Sequence, residues 1–267
     1  MKLSMKSIWR SMRRQSVLSL VTIAGTALAV FLIMVVVMMN EVPLAPYAPE
    51  SARDRMLHYT YAKLRLKGHD GVSSGQMSYA TCKTVFYPLE TPQETTVFGR
   101  FAREMTARSD GGGRMQVNAK LTDERFWKAF DFTFVDGKPY DKADVDAAIR
   151  RAVISDKVAR RMFGTVEASG RELKIDNRRY MVAGVVKEVS RLADHAYGDV
   201  WLPLTTGRAI GDTWNDVMGS FSATMVAPSA DKDSIQAVRY RFKNWPATKC
   251  AYNTRHLPLI PFRTDSW

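Results

Sequence analysis

The sequence predicts an α+β protein in which one N-terminal transmembrane helix precedes a mixed α+β extracytoplasmic domain. Residues 16–39 form an uninterrupted apolar run, and the whole chain of 267 residues has an ordinary folded composition, with 46% apolar and 25% charged residues. Beyond the apolar run, strand-like segments are interspersed with short helical ones and lack the regular βαβ rhythm of a parallel sheet. A mean hydropathy of -0.23 excludes a chain made mostly of transmembrane helices.

The net charge of +12 is concentrated at the two ends of the chain. Residues 1–15 contain five basic residues and no acid, while residues 239–267 contain six basic residues and one acid. The residues between them hold a net charge of only +2. Because this leaves no basic face to neutralise a run of phosphates, we expect no nucleic-acid partner.

Residues 16–39 are predicted to be a transmembrane helix. The run has 24 residues without charge or proline, and at 1.5 Å per residue it extends about 36 Å, enough to cross a hydrocarbon core of about 30 Å. A cleaved secretory signal is the alternative, because Ala27-Leu28-Ala29 has the small-x-small form of a cleavage site. Ten apolar residues follow that triplet, however, so an uncleaved anchor fits the run better.

The flanking charges predict the orientation of this helix. The basic lead-in, residues 1–15, lies immediately before the span, and the first acids, Glu41 and Glu50, come after it. By the positive-inside bias, the lead-in is cytoplasmic and residues 40–238 form an extracytoplasmic domain. We therefore expect a single-pass protein of the cell (inner) membrane.

The first part of the outer domain is predicted to be rich in strands. Residues 56–66 contain Tyr, Thr and Leu in partial alternation, which favours a strand, and the glycine-containing polar stretch 67–78 predicts a loop. Residues 109–113 (SDGGG) are typical of a hairpin turn. They join two strand-like pieces, residues 97–105 and 114–120.

The clearest helix signals surround residues 152–164. A short apolar strand, residues 152–154, is followed by Ser155, which is placed to cap the N-terminus of a helix over residues 156–163. Gly164 then fits a left-handed C-cap. One apolar face of this helix, predicted to lie in the core, is formed by residues at i,i+4 spacing, namely Val158, Ala159, Met162 and Phe163.

A second hairpin is predicted immediately downstream. Residues 171–175 and 178–189 are strand-like, and Asp176-Asn177 between them is a pair that tolerates left-handed conformations. Simple alternation divides the second strand into two faces, with Tyr180, Val182 and Gly184 on one and Met181, Ala183 and Val185 on the other. A further strand is predicted over residues 200–204.

Six segments in order carry a resemblance to a known family. The chain resembles MacB-like ABC transporter permeases, with a first transmembrane helix followed by the extracytoplasmic core domain. The segments are SIWRSMRRQSVLSLVTIAGTALAVFLIM (7–34), FWKAFDFTFVDGKPY (126–140), DKADVD (141–146), AVISDKVARRMFG (152–164), RYMVAGVVKEV (179–189) and DVWLPLT (199–205).

The resemblance implies a membrane-anchored permease subunit that acts with a cytoplasmic ATPase subunit, which binds and hydrolyses the ATP. It implies a homodimer or a pair with a paralogous permease. Gly137, Gly164 and Gly184 are expected to be turn, cap and close-packing positions, with Ser155 and Phe163 as further structural positions. The alternative is a stand-alone single-pass receptor or scaffold whose outer domain binds a peptide, lipoprotein or protein partner without transport.

The tail, residues 239–267, departs from the family pattern. Such permeases have three more membrane helices after the outer domain, whereas this tail lacks periodicity and contains three prolines and no acid before Asp265. A truncated or frame-shifted permease and a genuine single-span relative both stay open as explanations. Cys250 lies in this tail, and whether it forms a disulfide with Cys82 also stays open.

No catalytic, metal or cofactor site is predicted, and we expect no enzyme. Asp141, Asp144 and Asp146 lack the ordered oxygen ligands, glycine and terminal Glu of a calcium loop and are interpreted as a solvated acidic linker. His195 is interpreted as a loop histidine, because no nucleophile elbow, HExxH motif or P-loop accompanies it.

Overall fold

A computed structural model describes residues 16–41, 45–65, 72–207, 219–243 and 259–260. The chain divides into two compact units, residues 1–45 and residues 46–267. The described part of the first unit is essentially one helix, α1 (Ser16–Glu41). Within it, Leu20–Met39 has a mean hydropathy of 2.8 and no buried residue, so by length and composition it is the one described helix that can cross a membrane.

The second unit is a mixture of strands and short helices. Its helices are α2 (Tyr79–Phe86), α3 (Phe126–Ala129), α4 (Lys142–Asp146), α5 (Asp156–Phe163) and α6 (Lys232–Lys243), with 3-10 turns at Arg53–Arg55 and Leu204–Thr206. Its strands are β1 (Met56–Tyr59), β2 (Ala62–Arg65), β3 (Val72–Gly75), β4 (Glu94–Gly99), β5 (Arg103–Arg108), β6 (Arg114–Thr122), β7 (Phe134–Gly137), β8 (Arg151–Ser155), β9 (Glu172–Ile175), β10 (Arg178–Val186), β11 (Val200–Pro203), β12 (Phe221–Val226) and β13 (Leu259–Ile260).

Ten of the described strands form one mixed sheet, in the order β1-β12-β4-β6-β11-β8-β10-β9-β5, with β7 added beside β10. Because β5 pairs with β6 as well as with β9, six of these strands (β6, β11, β8, β10, β9 and β5) close into a ring. The pairs β6–β11 and β8–β10 are parallel. The other pairings are antiparallel. This arrangement is an α+β fold, as the sequence predicts.

The ring encloses one hydrophobic core, and α5 contributes to it. Inward-facing residues of the six strands pack with Val158, Ala159 and Met162 of α5, all of which are buried. A second core of aromatic side chains surrounds Trp201 and Phe126. A third joins β1, β4 and β12 to α2 and α6 around Phe86.

Two expectations about the first strands are wrong. The single strand predicted over residues 56–66 is two strands that belong to different sheets, since β1 pairs with β12 whereas β2 pairs with β3 and β13. The predicted loop 67–78 contains β3, and Ser78 at its end caps α2. A strand that changes sheet keeps its alternation, so the pattern alone does not reveal the break.

The hairpin around SDGGG is confirmed, with one change in its first arm. β5 and β6 pair antiparallel from Arg103↔Ala119 to Arg108↔Arg114, and the Ser109 N–H donates to the Gly113 carbonyl at 3.0 Å. The predicted first arm, residues 97–105, is divided: β4 ends at Gly99 and β5 begins at Arg103.

The second hairpin is also confirmed, but its longer strand has a bulge. Asp176 and Asn177 have φ of 43° and 67°, as a two-residue turn between β9 and β10 requires. β10 ends at Val186, not at residue 189, and its register shifts between Val182 and Gly184. The bulge moves Val185 onto the face of Tyr180 and Val182, so the assignment of Val185 to the opposite face is wrong.

Candidate functional site

The helix α5 has the ends that the sequence predicts. The Ser155 hydroxyl accepts a hydrogen bond from the Val158 N–H at 3.4 Å, and Gly164 has φ of 74° with its N–H donating to the Arg160 carbonyl at 2.9 Å. Phe163 is partly buried and packs against the ring core, and the guanidinium of Arg171 lies over its ring, 5.5 Å from the ring centre. The predicted core face of α5 is therefore formed by Val158, Ala159 and Met162, with Phe163 packed against the core at its edge.

Gly137 and Gly184 lie opposite each other in the sheet, and neither belongs to α5. Gly137 ends β7 with φ of 64°, and it lies directly opposite Gly184 in the β7–β10 pair. The five structural positions named from the sequence thus form two separate groups that shape the backbone, one at α5 and one at the β7–β10 contact.

Charged and imidazole side chains collect elsewhere, in a partly buried cluster that the sequence analysis missed. We call this group the histidine cluster. Its members come from five separated parts of the chain: Glu50, Arg53, His58, Arg100, Lys120, Asp194 and His195.

The centre of the histidine cluster is a pair of stacked rings. The imidazoles of His58 and His195 lie 3.6 Å apart between centres and 12° from parallel. His58 Nδ1 is hydrogen-bonded to the Thr224 hydroxyl at 2.8 Å. His195 Nδ1 is buried and has no hydrogen-bond partner among the described residues.

Glu50 fastens the start of the outer domain to the loop that carries His195. Its carboxylate is 1% exposed. Oε1 accepts from the backbone N–H groups of His195 and Ala196, both at 3.1 Å, and Oε2 accepts from Arg53 Nε at 2.9 Å. Arg53 in turn donates to the Leu192 carbonyl at 3.0 Å. We call this set of contacts the Glu50 clamp.

Two more cations lie beside the stacked rings. Lys120 is 1% exposed, and its Nζ donates to the Asp194 carbonyl at 3.2 Å and lies 5.1 Å from the centre of the Phe98 ring. Arg100 donates to the Asp194 carboxylate at 2.6 Å. The cluster therefore holds three basic side chains and two acids around two imidazoles.

Comparison with known proteins identifies the domain. The family of the MacB-like periplasmic core domain matches residues 19–244. The chain belongs to this family. A domain of a protein classed as a permease from Porphyromonas gingivalis matches with a TM-score of 0.52 at 16% identity, covering 79% of this chain and 91% of that one. The periplasmic region of MacB from Actinobacillus actinomycetemcomitans matches with a TM-score of 0.51 at 12% identity, covering 78% and 88%. No curated protein sequence matches.

In this MacB-like domain, burial controls the protonation of the histidine cluster. Desolvation, aided by Arg53 and Arg100, lowers the pKa of His58 to about 3. Desolvation and the neighbouring His58 also lower the pKa of His195. Lys120 responds in the same direction, since desolvation lowers its pKa to about 7. Both imidazoles are thus neutral at neutral pH.

A second buried acid of the MacB-like domain, Asp123, is fully bonded. Its two carboxylate oxygens accept from the Thr96 hydroxyl at 2.6 Å, the Tyr87 hydroxyl at 2.7 Å and the Val97 and Phe126 N–H groups at 2.7 and 2.9 Å. Desolvation nevertheless raises the pKa of Asp123 to about 6. Through these hydrogen bonds Asp123 joins β4 to the start of α3. Because each of its carboxylate oxygens already accepts two hydrogen bonds, Asp123 is not available to bind a ligand.

The acidic run before β8 is ordered, which corrects its interpretation as a solvated linker. Asp141 caps α4 by accepting from the Asp144 N–H at 3.0 Å, and Asp144 accepts in return from the Asp141 N–H. Asp144 is 6% exposed and pairs with Arg151 at 2.8 Å. Within the described residues, no group of three or more His, Cys, Asp or Glu side chains is arranged to hold a metal ion.

The remaining residues singled out from the sequence are His195 and the cysteines. His195 does lie in a loop, but it is half of the stacked pair and not an isolated side chain. Cys82 is a free, fully buried thiol of α2, and burial raises its pKa. Cys250 lies outside the described residues. No local motif could have revealed the histidine cluster, because its members are up to 145 residues apart.

Proposed function

We propose that this chain is the membrane-anchored permease subunit of a MacB-type ABC system. In this proposal a partner ATPase hydrolyses ATP in the cytoplasm, and the first helix carries the resulting motion into the extracytoplasmic domain. The protein resides in the inner membrane with its N-terminus in the cytoplasm, and two permease subunits, identical or paralogous, act together. Membership of the MacB-like family supports the pairing with an ATPase.

The observation that carries this proposal is the Glu50 clamp. Glu50 follows the end of α1 by nine residues, and its carboxylate bonds directly to the loop of His195, which belongs to the folded body of the domain. Arg53 adds a contact to the same loop through Leu192. A displacement of the segment after the helix is therefore passed to the domain through charge-assisted hydrogen bonds, which are stronger than neutral ones.

The proposal is tested by hydrogen exchange at the backbone amides of His195 and Ala196. The full chain is reconstituted in nanodiscs with the ATPase expressed from the same system, and exchange is compared between ATP-bound and ADP-bound states. We expect the exchange of these two amides to depend on the nucleotide. In the Glu50→Gln variant, we expect these two amides to exchange quickly in both the ATP-bound and the ADP-bound state, while the ATPase still binds.

Glu172→Gln is the matched control, since Glu172 is an exposed acid that pairs with Arg179 on the surface. This variant should keep the nucleotide dependence of the wild type. Exchange that is indifferent to nucleotide in the wild-type complex would contradict coupling and favour the stand-alone receptor or scaffold.

A further inference from the structure

A shallow groove of about 830 Å³ opens on the surface where α5 meets the start of β6. Four of its lining side chains are basic: Arg114, Lys157, Arg160 and Arg161. Two are acidic, Asp156 and Glu188.

The two acids of this groove are already occupied. One carboxylate oxygen of Asp156 accepts from the backbone N–H groups of Lys157 and Glu188, at 2.9 and 3.0 Å. The Glu188 carboxylate pairs with Lys157 Nζ at 3.0 Å. Neither acid is therefore directed at an arginine, and Lys157 is the one basic side chain of the groove that they neutralise.

The three arginines of the groove remain uncompensated. Arg114, Arg160 and Arg161 are exposed, and within the part of the chain that the structure describes none of their guanidinium groups has a hydrogen-bond or carboxylate partner. Three adjacent like charges repel one another, so a partner that brings negative charge into the groove gains by neutralising them.

The placement of the arginines favours an extended partner over a small anion. Arg160 and Arg161 are successive residues of α5, so their side chains leave the helix about 100° apart. Arg114 belongs to the other wall, at the start of β6. An extended chain with several carboxylates can meet the three guanidinium forks one after another, whereas a single small anion cannot.

We propose that this groove binds an acidic peptide segment of another protein. Guanidinium groups bind carboxylates through two parallel hydrogen bonds, which gives such a contact both strength and direction. The basic segment 239–267 of this chain has the wrong charge to be the occupant. The proposal rests on the groove alone and is independent of coupling to an ATPase.

The test uses the full chain in detergent micelles and a fluorescent 12-residue peptide rich in Glu, with a Gln-substituted peptide of the same length for comparison. Binding is followed by fluorescence anisotropy. We expect the Glu peptide to bind and the Gln peptide not to bind. Because Arg160→Gln/Arg161→Gln removes two guanidinium groups that would contact the carboxylates, it should weaken binding at least tenfold. Arg114→Gln should weaken it in the same direction.

The matched control removes two exposed positive charges that do not line the groove, in the variant Lys83→Gln/Arg150→Gln. It should bind the Glu peptide as the wild type does, within about twofold, because neither removed charge lines the groove. Equal weakening by the control and the groove variants would overturn the proposal, since binding would then follow net charge alone. Binding of phosphatidylglycerol vesicles through the same arginines, without binding of the peptide, would also overturn it.

Discussion

Gly137 and Gly184 face each other across the β7–β10 pair, and neither position has space for a side chain. A Cβ on Gly137 would lie 2.3 Å from the Ala183 carbonyl oxygen and 2.9 Å from the Gly184 Cα. A Cβ on Gly184 would lie 2.8 Å from the Lys138 carbonyl oxygen. The backbones of the two strands therefore approach as closely as they do only because both residues are glycine.

This contact predicts a difference between two glycines that both have positive φ. Gly164→Ala should cost about 1 to 2 kcal/mol of the free energy of unfolding, because its φ of 74° is strained for alanine but the space around it is open. Gly137→Ala should cost about 1 to 3 kcal/mol more, because the new Cβ would also overlap with backbone atoms of β10, in addition to the strain of a positive φ. Urea unfolding of the full chain in detergent, followed by tryptophan fluorescence, measures both. Equal costs would contradict the close approach.

The burial of α5 predicts an order of effects for three neighbouring residues. Met162 is 6% exposed inside the ring core, so Met162→Ala should cost about 2 to 5 kcal/mol. Phe163→Ala should cost less, because part of the ring already faces Arg171 and solvent. Arg161→Ala should stay within about 0.5 kcal/mol. The same urea titration ranks the three variants. A cost for Arg161→Ala as large as that for Met162→Ala would contradict the described orientation of α5, in which Met162 faces the core and Arg161 faces solvent.

The histidine cluster predicts a loss of stability in acid. The pKa values of His58 and His195 are lower in the folded state than the unperturbed value of about 6.5, so the unfolded state binds more protons below that pH. Their contribution is complete above pH 6.5 and is lost as the pH falls toward about 3 for His58. Asp123, with a raised pKa, acts oppositely: its effect becomes more favourable as the pH falls from about 6.

The measurement is the urea midpoint at pH 7 and pH 5, for the wild type and for His58→Gln/His195→Gln. We expect the double variant to lose less stability between the two pH values than the wild type does. If both proteins lose the same amount, other groups cause the acid sensitivity and the stacked pair does not.

Cys82 is predicted to be unreactive in the folded protein. Its thiol is fully buried in α2, and burial raises its pKa, so little thiolate is available. In a Cys250→Ser background, iodoacetamide should label Cys82 only after denaturation. Fast labelling under native conditions would mean that α2 opens readily from the third core.

The orientation of the helix is tested by a cysteine at Gly111. This glycine lies at the exposed tip of the β5–β6 hairpin, and a Cβ there meets no atom within 4 Å. In a Cys250→Ser background, an impermeant maleimide should label Gly111→Cys in intact spheroplasts. Labelling that requires lysis would place the domain in the cytoplasm and contradict the positive-inside prediction.

Local chemistry was the part of the fold that the sequence could predict. Ser155 starts α5 through the hydrogen bond of its hydroxyl, and Gly164 ends it through its left-handed φ. Asp176-Asn177 likewise forms its turn through the positive φ of both residues. The bulge in β10 and the change of sheet between β1 and β2 depend on distant partners and leave no local trace. The stacking of His58 on His195 has the same origin, because long-range strand order brings the two together.

The closed ring of six strands also determines how the domain responds to force. In an open sheet, neighbouring strands can slide or peel from a free edge, whereas in a ring each strand is held on both sides and sliding must break several hydrogen bonds together. Within the described residues, β8 and β11 of this ring are joined to each other and to β10 and β6. Under the proposed coupling, we expect a pull at Glu50 to reach this ring through the loop of His195, which lies between β10 and β11, and we expect the ring to move as one body.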